Sequence, residues 1–487
     1  GGIPNFAFLP AAQNRPTGFS EAPEERLDEG LGPGLTQAAG ELLSLNMSDP
    51  SPIAPPNHRQ VLNLAWPMIL SNVSIPLLGM VDTAVVGHLP EAHHLGAVAV
   101  GATIFSFVFW GFGFLRMGTT GFVAQAYGKQ DEVRVTVLLA QAGLLALVIA
   151  ALIIAAQFFI REVAVSLIAP PPEVAAGART YFAIRIWAAP ATLLTYALVG
   201  WFLGCQDARS PLLIMLTANV VNIVFDLIFV VGMDLGVAGV AWASLLGEYL
   251  AVGLGLVLVA RRRILGLAWR ERSRIFNRDE LRALLRVNGD IMLRTLCLIF
   301  TFAFFTRQGA QQGEIVLAAN AILLNLQSFM AYGLDGFAHA AEALVGRGIG
   351  VGRRKHIVEA IRLSGWWSLW FASAMALLYL LAGQWIVSLM TDIESVRAAT
   401  ARFLPWMILS PLVSVWSFWL DGIFIGATRG RDMRNTMLVA TFVAFLPAWW
   451  FLQGWGNHGL WAAFMVFFAA RGLLLGWLTP RVVRLGS

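Results

Sequence analysis

Apolar segments long enough to cross a bilayer follow one another along almost the whole chain from about residue 61. A hydrocarbon core of about 30 Å is spanned by about 20 mostly apolar residues in one helix. Only 13% of the 487 residues are charged, whereas soluble domains average about 25%. The sequence therefore predicts an all-α polytopic membrane protein. Breaking it at charged or Gly/Pro-rich loops gives twelve transmembrane helices, at residues 61–87, 95–127, 134–159, 174–203, 211–232, 236–260, 282–307, 315–346, 356–382, 396–426, 434–453 and 457–480.

Positive charges are distributed unequally among the loops that join these helices. One set of alternate loops, together with the C-terminal tail, holds twenty Lys and Arg residues, whereas the other set holds Arg161, Arg179, Arg307 and Arg397. The positive-inside rule assigns the rich set to the cytoplasm. Both chain termini are therefore predicted to be cytoplasmic. Because the basic residues are interpreted as topology signals, no nucleic-acid partner is expected.

The two halves of the sequence are related by a constant offset of 222 residues. Gly200-x-Phe202-x-Gly204 recurs as Gly422-x-Phe424-x-Gly426, and Gly128 recurs as Gly350. Because each half would contain six helices, an even number, the halves are predicted to be parallel repeats. The predicted organisation is a disordered N-terminal extension at 1–57, an N-lobe at 58–260, a basic cytoplasmic linker at 261–281, a C-lobe at 282–480 and a cytoplasmic tail at 481–487.

The first 46 residues differ in composition from the rest of the chain, being rich in Gly, Pro, Ala and Glu. They lack the basic start and apolar core of a signal peptide, and Met47 suits a natural start. They are expected to be a processed extension, an upstream translation or a cloning artefact. The two cysteines, Cys205 and Cys297, have no metal-ligand spacing and imply no disulfide framework.

Two aspartates lie inside apolar segments of the first half. Asp82 belongs to the first predicted helix and Asp226 to the fifth. A carboxylate inside a bilayer costs roughly 2.5–3.5 kcal/mol on insertion scales. The repeat places Phe304 and Ala448 at the equivalent positions of the second half, so the shared scaffold does not require these acids. Their placement indicates function. The alternative is that each acid only hydrogen-bonds a neighbouring helix.

Other polar residues are predicted to lie close to these acids. Asn222 precedes Asp226 by four residues and so shares its helix face. Ser244, in the sixth predicted helix, and Asp82 fall at a similar depth in the membrane. Together these four residues form a candidate proton-exchange or hard-oxygen cation site. Pro67 interrupts the first helix and favours a bend there, which is either a switch or a static kink.

The second half carries acids of its own. Asp335 and Asp421 lie in Gly-rich segments, and Asp290 precedes Arg294 by four residues. An intrahelical ion pair is the simpler explanation for Asp290. Two arginines in apolar segments of the first half are candidates to neutralise an acid or to contact an anionic group. The predicted substrate-cavity residues are Asp335, Asp421, Arg116, Arg185, Asp290 and Glu342.

The chain resembles the multidrug and toxic compound extrusion (MATE) family. The resemblance is carried by Leu64-Ala-Trp-Pro67, by Asn222 and Asp226, and by Gly236-Val-Ala-Gly-Val-Ala-Trp-Ala-Ser244. A finer similarity is to the DNA-damage-inducible protein F branch of this family. It rests on Leu115-Arg116-Met-x-Thr-Thr-Gly121, Asn288-Gly-Asp290-Ile-Met-Leu-Arg294, Leu334-Asp335-Gly-Phe337 and Leu420-Asp421-Gly. The similarity covers about residues 58–480.

The resemblance implies an antiporter with the MATE fold, in which two six-helix lobes surround a central cavity. In this branch the N-lobe acids, which correspond to Asp82 and Asp226, are linked to proton coupling, with Asn222 and the hydroxyl of Ser244 beside them. Sodium coupling in other branches uses acids of the C-lobe. Binding of Na⁺ at Asp82, Asn222 and Asp226 stays open as an alternative to H⁺. The implied function is efflux of lipophilic, mostly cationic compounds in exchange for protons by alternating access.

A monomer in the bacterial cytoplasmic (inner) membrane is expected, with small lipophilic or cationic substrates and the lipid bilayer as partners. No cofactor and no enzyme activity are expected, because no catalytic motif occurs at suitable spacing. The alternative function is a lipid-linked saccharide flippase on a similar scaffold. A flippase would favour a cavity lined with arginines that bind pyrophosphate, whereas buried acids are at least as prominent here as buried arginines.

Overall fold

The computed structural model of the chain describes residues 54–87, 92–262 and 271–486. Within these ranges twelve long helices follow one another, labelled α1 to α12. Three of them consist of two pieces with a short break: α2 (Ala92–Trp110 and Phe114–Gly128), α3 (Glu132–Ala155 and Gln157–Ile168) and α4 (Pro172–Arg185 and Ala189–Gly204). The others are α1 (His58–Gly87), α5 (Arg209–Gly232), α6 (Gly236–Arg261), α7 (Arg278–Ala310), α8 (Glu314–Val351), α9 (Arg354–Met390), α10 (Glu394–Gly426), α11 (Gly430–Trp455) and α12 (Asn457–Val483).

The helices have the lengths that a membrane protein requires. Eleven of them, α2 to α12, are each long and apolar enough to cross a membrane within the described residues. The helix α1, with 30 residues, is the twelfth long helix of the described ranges and stands beside these eleven candidate spans. The predicted all-α membrane fold is confirmed. The predicted linker contains a short helix, Arg272–Ile275. Residues 263–270 of that linker and residues 1–53 of the predicted extension lie outside the described part of the chain.

Local sequence explains where several helices begin. The side chain of Asp131 accepts a hydrogen bond from the backbone N–H of Arg134 at 2.8 Å and so caps α3. The side chain of Asn277 accepts from the N–H groups of Asp279 and Glu280 and caps α7. Such caps satisfy backbone donors that have no partner within the first turn of a helix.

The interruptions inside helices were not predicted by the hydropathy pattern. The break in α2 falls at residues 111–113, where Gly111 and Gly113 each weaken a helix by about 1 kcal/mol relative to alanine. Two helices also contain π-helical segments, Leu227–Gly232 in α5 and Val439–Phe445 in α11. The third predicted helix, at 134–159, continues in the structure to Ile168 after a break at Ala156. Hydropathy misses such features because they do not change the apolar character of the segment.

The sequence repeat is visible in helix packing. A Cβ atom placed on Gly200 of α4 would lie 2.4 Å from the carbonyl oxygen of Arg116 in α2. A Cβ atom on Gly422 of α10 would lie 2.3 Å from the carbonyl oxygen of Ala338 in α8. Both residues of the second contact stand 222 positions after those of the first. The close approach of α4 to α2 is therefore repeated by α10 and α8, as expected for parallel repeats.

The two halves also contact each other through backbone atoms, at the ends of α2 and α8. A Cβ atom on Gly128 would lie 2.2 Å from the carbonyl oxygen of Arg347, and one on Gly350 would lie 2.1 Å from that of Gln125. These two contacts are again related by the offset of 222 residues. In addition, the side-chain amide of Gln125 donates to the carbonyl oxygen of Gly426 at 2.9 Å. The halves are therefore packed tightly together on the side of the arginine-rich loops.

Candidate functional site

The helix α1 carries two of the predicted functional residues. Asp82 lies near its end, but the side chain of Asp82 is outside the described part of the structure. Pro67 lies within α1, which remains helical through this position. Pro67 itself is half-buried.

Hydrogen bonds from α1 reach helices of both halves. The side-chain amide of Asn219 in α5 donates to the hydroxyl of Ser74 in α1 at 2.8 Å. The side-chain amide of Asn72 in α1 donates to the carbonyl oxygen of Tyr332 in α8 at 3.2 Å. Sequence reasoning missed these three polar side chains, although amides inside apolar segments were a usable signal. If α1 moves, its hydrogen bonds to α5 and α8 must break, or these two helices must move with it.

The predicted group on α5 and α6 comes together in the structure. The side-chain amide of Asn222 donates to the hydroxyl of Ser244 at 2.8 Å, and both residues are buried. Asp226 lies one turn after Asn222 and is 0% exposed. The π-helical segment of α5 begins directly after Asp226. Single π turns inside α-helices occur frequently at functional sites, so the local backbone gives a second indication at this aspartate.

An ion pair joins the two halves between α2 and α8. A guanidinium nitrogen of Arg116 lies 3.2 Å from a carboxylate oxygen of Glu342, whose side chain is 1% exposed. The imidazole Nδ1 of His339 lies 3.4 Å from the same carboxylate. Both Arg116 and Glu342 were predicted as cavity residues, and the structure brings them together. His339 was missed, since a single histidine in an apolar helix has no distinctive sequence pattern.

Asp421 of α10 lies between two arginines. It accepts hydrogen bonds from Arg294 of α7 and, at 2.5 Å, from Arg471 of α12. All three residues are buried. The Nε–H groups of both arginines are buried without a hydrogen-bond partner in the described residues. The carboxylate charge is thus neutralised, while both guanidinium groups keep unused donors. Sequence reasoning missed Arg471, which lies in the last predicted helix.

The predicted intrahelical pair of Asp290 with Arg294 is wrong. Asp290 instead accepts a hydrogen bond from Arg434 of α11 at 2.6 Å. Arg294 forms its ion pair with Asp421. The four-residue spacing along α7 permits an ion pair between Asp290 and Arg294. In the structure, however, each of the two side chains pairs with a residue of a neighbouring helix.

Arg185 of α4 has an acidic partner within the first half. It forms an ion pair with Glu248 of α6, and the hydroxyl of Thr192 donates to the same carboxylate. The guanidinium group also lies 5.7 Å from the centre of the Phe105 ring. Glu248 was not among the predicted residues, although it is an acid within an apolar segment. Arg185 thus neutralises an acid, which is one of the two roles predicted for it.

Asp335 differs from the other predicted cavity acids of the second half. It lies on α8 one turn before His339 and is partly exposed. It forms no ion pair within 4.0 Å in the described ranges. The acids Glu342, Asp421 and Asp290 each have an arginine partner there. The described residues also contain no group of three or more His, Cys, Asp or Glu side chains that could hold a metal ion.

Comparison with known proteins identifies the family. The MatE family model matches residues 67–228 and 291–450, one segment in each half. The DNA damage-inducible protein F of Escherichia coli (strain K12) is 42% identical over 427 residues, which cover 87% of this chain and 92% of that protein. This chain belongs to the MATE family. The resemblance inferred from the sequence motifs is thereby confirmed.

More distant MATE proteins agree with this membership. Multidrug and toxin extrusion protein 1 of Homo sapiens is 24% identical over 413 residues, which cover 84% of this chain and 72% of that protein. A solved structure of a multidrug resistance MATE family transporter of the MOP superfamily, in the outward-facing conformation, superimposes with a TM-score of 0.80. It is 20% identical, covers 89% of this chain and 97% of its own, and shows that the MATE fold is shared.

Membership in the MATE family decides the general activity. MATE proteins are transporters, so this chain is a multi-pass membrane transporter and not an enzyme. The family moves small organic compounds across a membrane with the use of an ion gradient.

Proposed function

We propose that this protein is a proton-coupled efflux antiporter for lipophilic, mostly cationic organic compounds. The observation that carries the proposal is Asp226, fully buried one turn from the hydrogen-bonded pair Asn222 and Ser244. A charged carboxylate is costly inside a membrane, so its protonation state responds strongly to a change in its surroundings. Together with Asp82, this aspartate would take up a proton from one side and release it to the other. The protein would act as a monomer.

The same residues contain oxygen atoms that suit Na⁺. An amide, a hydroxyl and carboxylates are hard-oxygen ligands of the kind alkali and alkaline-earth cations prefer. We favour the proton as the coupling ion because a single buried acid suffices to carry a proton, whereas a cation site needs several oxygen ligands at once. The assay below separates the two ions.

Alternating access is supported by the contact between the halves. The backbone contacts at Gly128 and Gly350 close the molecule on the side of the arginine-rich loops. By the positive-inside rule, that side and both chain termini would lie on the cytoplasmic side of a bacterial inner membrane. Transport would require these contacts to open and α1 to change its hydrogen bonds to α5 and α8.

Selectivity for cations would come mainly from Asp335. The other predicted cavity acids of the C-lobe are paired with arginines, namely Glu342 with Arg116, Asp290 with Arg434, and Asp421 with Arg294 and Arg471. A carboxylate without such a partner attracts a cation more strongly in a low-dielectric cavity than in water. The pairing of Arg116 with Glu342 weighs against the flippase alternative, because that arginine is already engaged with a carboxylate.

Transport in proteoliposomes tests the proposal. Efflux of a cationic dye is measured with an imposed pH gradient and, separately, with an imposed Na⁺ gradient. The variants Asp226→Asn and Asp82→Asn should each lose efflux driven by the pH gradient. The matched control is Asp234→Asn, because Asp234 is exposed in the turn between α5 and α6 at φ +52°, where asparagine is well tolerated. Full efflux by Asp226→Asn, or efflux driven only by Na⁺, would refute proton coupling at this site.

A further inference from the structure

Three exposed arginines form a stripe along the first part of α7. Arg278, Arg282 and Arg286, the α7 arginine stripe, follow one another at intervals of four residues. Side chains at this spacing lie on one face of a helix, so the stripe is about 12 Å long. None of the three forms an ion pair within 4.0 Å in the ranges that the structure describes. This face of α7 therefore presents three positive charges that no carboxylate pairs with there.

The acids nearest in sequence do not neutralise the stripe. Glu280 pairs with Arg134 of α3 and with Arg274 of the linker. Asp279 is exposed and lies beyond ion-pair distance of each arginine of the stripe. Positive charge is therefore in excess at this end of α7.

The stripe is unfavourable for the helix that carries it. The N-terminus of a helix bears partial positive charge, so a cation is destabilising there, and Arg278 is the first residue of α7. Like charges four residues apart on a helix also repel each other. Arg307 of the same helix lies in the last turn, where a cation is favourable. Helix stability therefore explains Arg307 but not the stripe.

The repeat does not require the stripe either. At the offset of 222 residues its three positions correspond to Pro56, Gln60 and Leu64, at and before the first turns of α1. None of these residues is charged. The stripe is thus a property of the second half and not of the shared scaffold.

The face that carries the stripe continues as an apolar surface. Leu293, Leu296 and Phe300 lie on the same face by helix periodicity and are exposed. Phe276, which precedes the helix, is exposed as well, and aromatic residues are frequent where a membrane meets water, as shown for Trp and Tyr. The stripe therefore lies between an apolar surface that lipid tails would cover and the arginine-rich side of the molecule.

We propose that the α7 arginine stripe binds the head groups of anionic phospholipids in the cytoplasmic leaflet. Guanidinium groups bind phosphate oxygens through two parallel hydrogen bonds. The anionic lipids of that leaflet attract basic residues at the membrane surface. The acyl chains would lie along Leu293 and Leu296 toward the bilayer centre. The assignment to this leaflet rests on the orientation proposed above, whereas the binding itself does not depend on transport.

Lipid binding measured by native mass spectrometry tests the proposal on the full chain. The detergent-purified protein is titrated with phosphatidylglycerol and, separately, with phosphatidylcholine. Arg278→Gln, Arg282→Gln and Arg286→Gln should each weaken phosphatidylglycerol binding by about fivefold, since this is the contribution of one basic residue at an anionic membrane surface. The triple variant should weaken it by roughly a hundredfold if the three contributions add. Phosphatidylcholine binding should change little.

The matched control is Arg307→Gln. Arg307 is an exposed arginine on the same face of α7, at the opposite end of the helix, so this variant loses the same charge away from the stripe. Its phosphatidylglycerol binding should equal that of the parent protein. Equal binding by the triple variant and the parent, or an equal loss in Arg307→Gln and Arg282→Gln, overturns the proposal.

Two further measurements exclude other causes of a loss. Without added lipid, the thermal stability of Arg282→Gln in detergent should not fall below that of the parent, because the substitution removes repulsion between like charges. A lost lipid is then not a result of unfolding. Displacement of phosphatidylglycerol by inorganic phosphate at the same concentration would also overturn the proposal, since the stripe would then recognise a free anion.

Discussion

The contact between α2 and α8 predicts a specific effect of adding one methyl group at Gly350. In Gly350→Ala the new Cβ would lie 2.1 Å from the carbonyl oxygen of Gln125 and 2.9 Å from the Cα of Gly128, whereas ordinary contacts begin at 3.4 Å. Backbone atoms cannot rotate away as side chains do, so the helices must separate by about 1 Å. Overpacking of this kind costs about 1–3 kcal/mol. That cost shifts an equilibrium between closed and open cytoplasmic arrangements by about 5- to 150-fold.

Distances between spin labels on the two halves measure this shift. Labels at Lys129→Cys and Arg353→Cys would lie on exposed residues next to the ends of α2 and α8. The native cysteines should stay unlabelled at neutral pH, because both are buried and burial raises the pKa of the Cys205 thiol to about 12. Only the thiolate reacts readily. In Gly350→Ala the distance distribution should move to longer values.

The matched control is Gly289→Ala in α7. A Cβ atom at Gly289 would meet nothing within 4 Å, so this variant carries the same chemical change without the clash. Its distance distribution should equal that of the parent protein. If Gly350→Ala also keeps the parent distribution and transports normally, the backbone contact does not hold the two halves together, and the reasoning from this contact fails.

Three further predictions concern the charged residues and α1. Asp335→Asn should weaken export of cationic dyes more than export of neutral compounds and leave dependence on the pH gradient intact; uncoupling for every substrate would contradict a role limited to selectivity. Pro67→Ala should reduce a pH-dependent change in the distance between α1 and α5, and normal transport with an unchanged response would exclude a bend at Pro67 as the switch. Arg471→Met should lower the free energy of unfolding by about 3 kcal/mol, measured as thermal stability in detergent. Arg434→Met should cost less, because that side chain is 28% exposed.

Much of the candidate site could be predicted because charge inside an apolar segment is a strong sequence signal. Asn222, Asp226 and Ser244 were selected from depth and helix periodicity, and the structure places the amide and hydroxyl in contact. Their role in coupling stays a prediction. Arg471 and Glu248 were missed although each is a charge inside an apolar segment, because the sequence does not show which distant side chain each of them pairs with. His339 was missed because a single histidine in an apolar helix has no distinctive sequence pattern.

The pairing of charges was decided by helix packing alone. Asp290 and Arg294 are four residues apart on one helix, so local geometry permits an ion pair between them. In the structure Asp290 pairs with Arg434, and Arg294 pairs with Asp421. Which pair forms depends on the rotation of α7 and on the positions of α10 and α11 around it. A sequence pattern describes a helix face but does not say which neighbours cover it.

The sequence by itself determined the helices, their number and the repeat, because a bilayer requires long apolar segments whose backbone groups are satisfied within each helix. The fourth helix, for example, was predicted at 174–203 and runs from Pro172 to Gly204. The tertiary structure alone decided that α2 and α8 meet at Gly128 and Gly350, and that Asp290 pairs with Arg434. These properties depend on how helices far apart in sequence approach one another, which hydropathy does not encode.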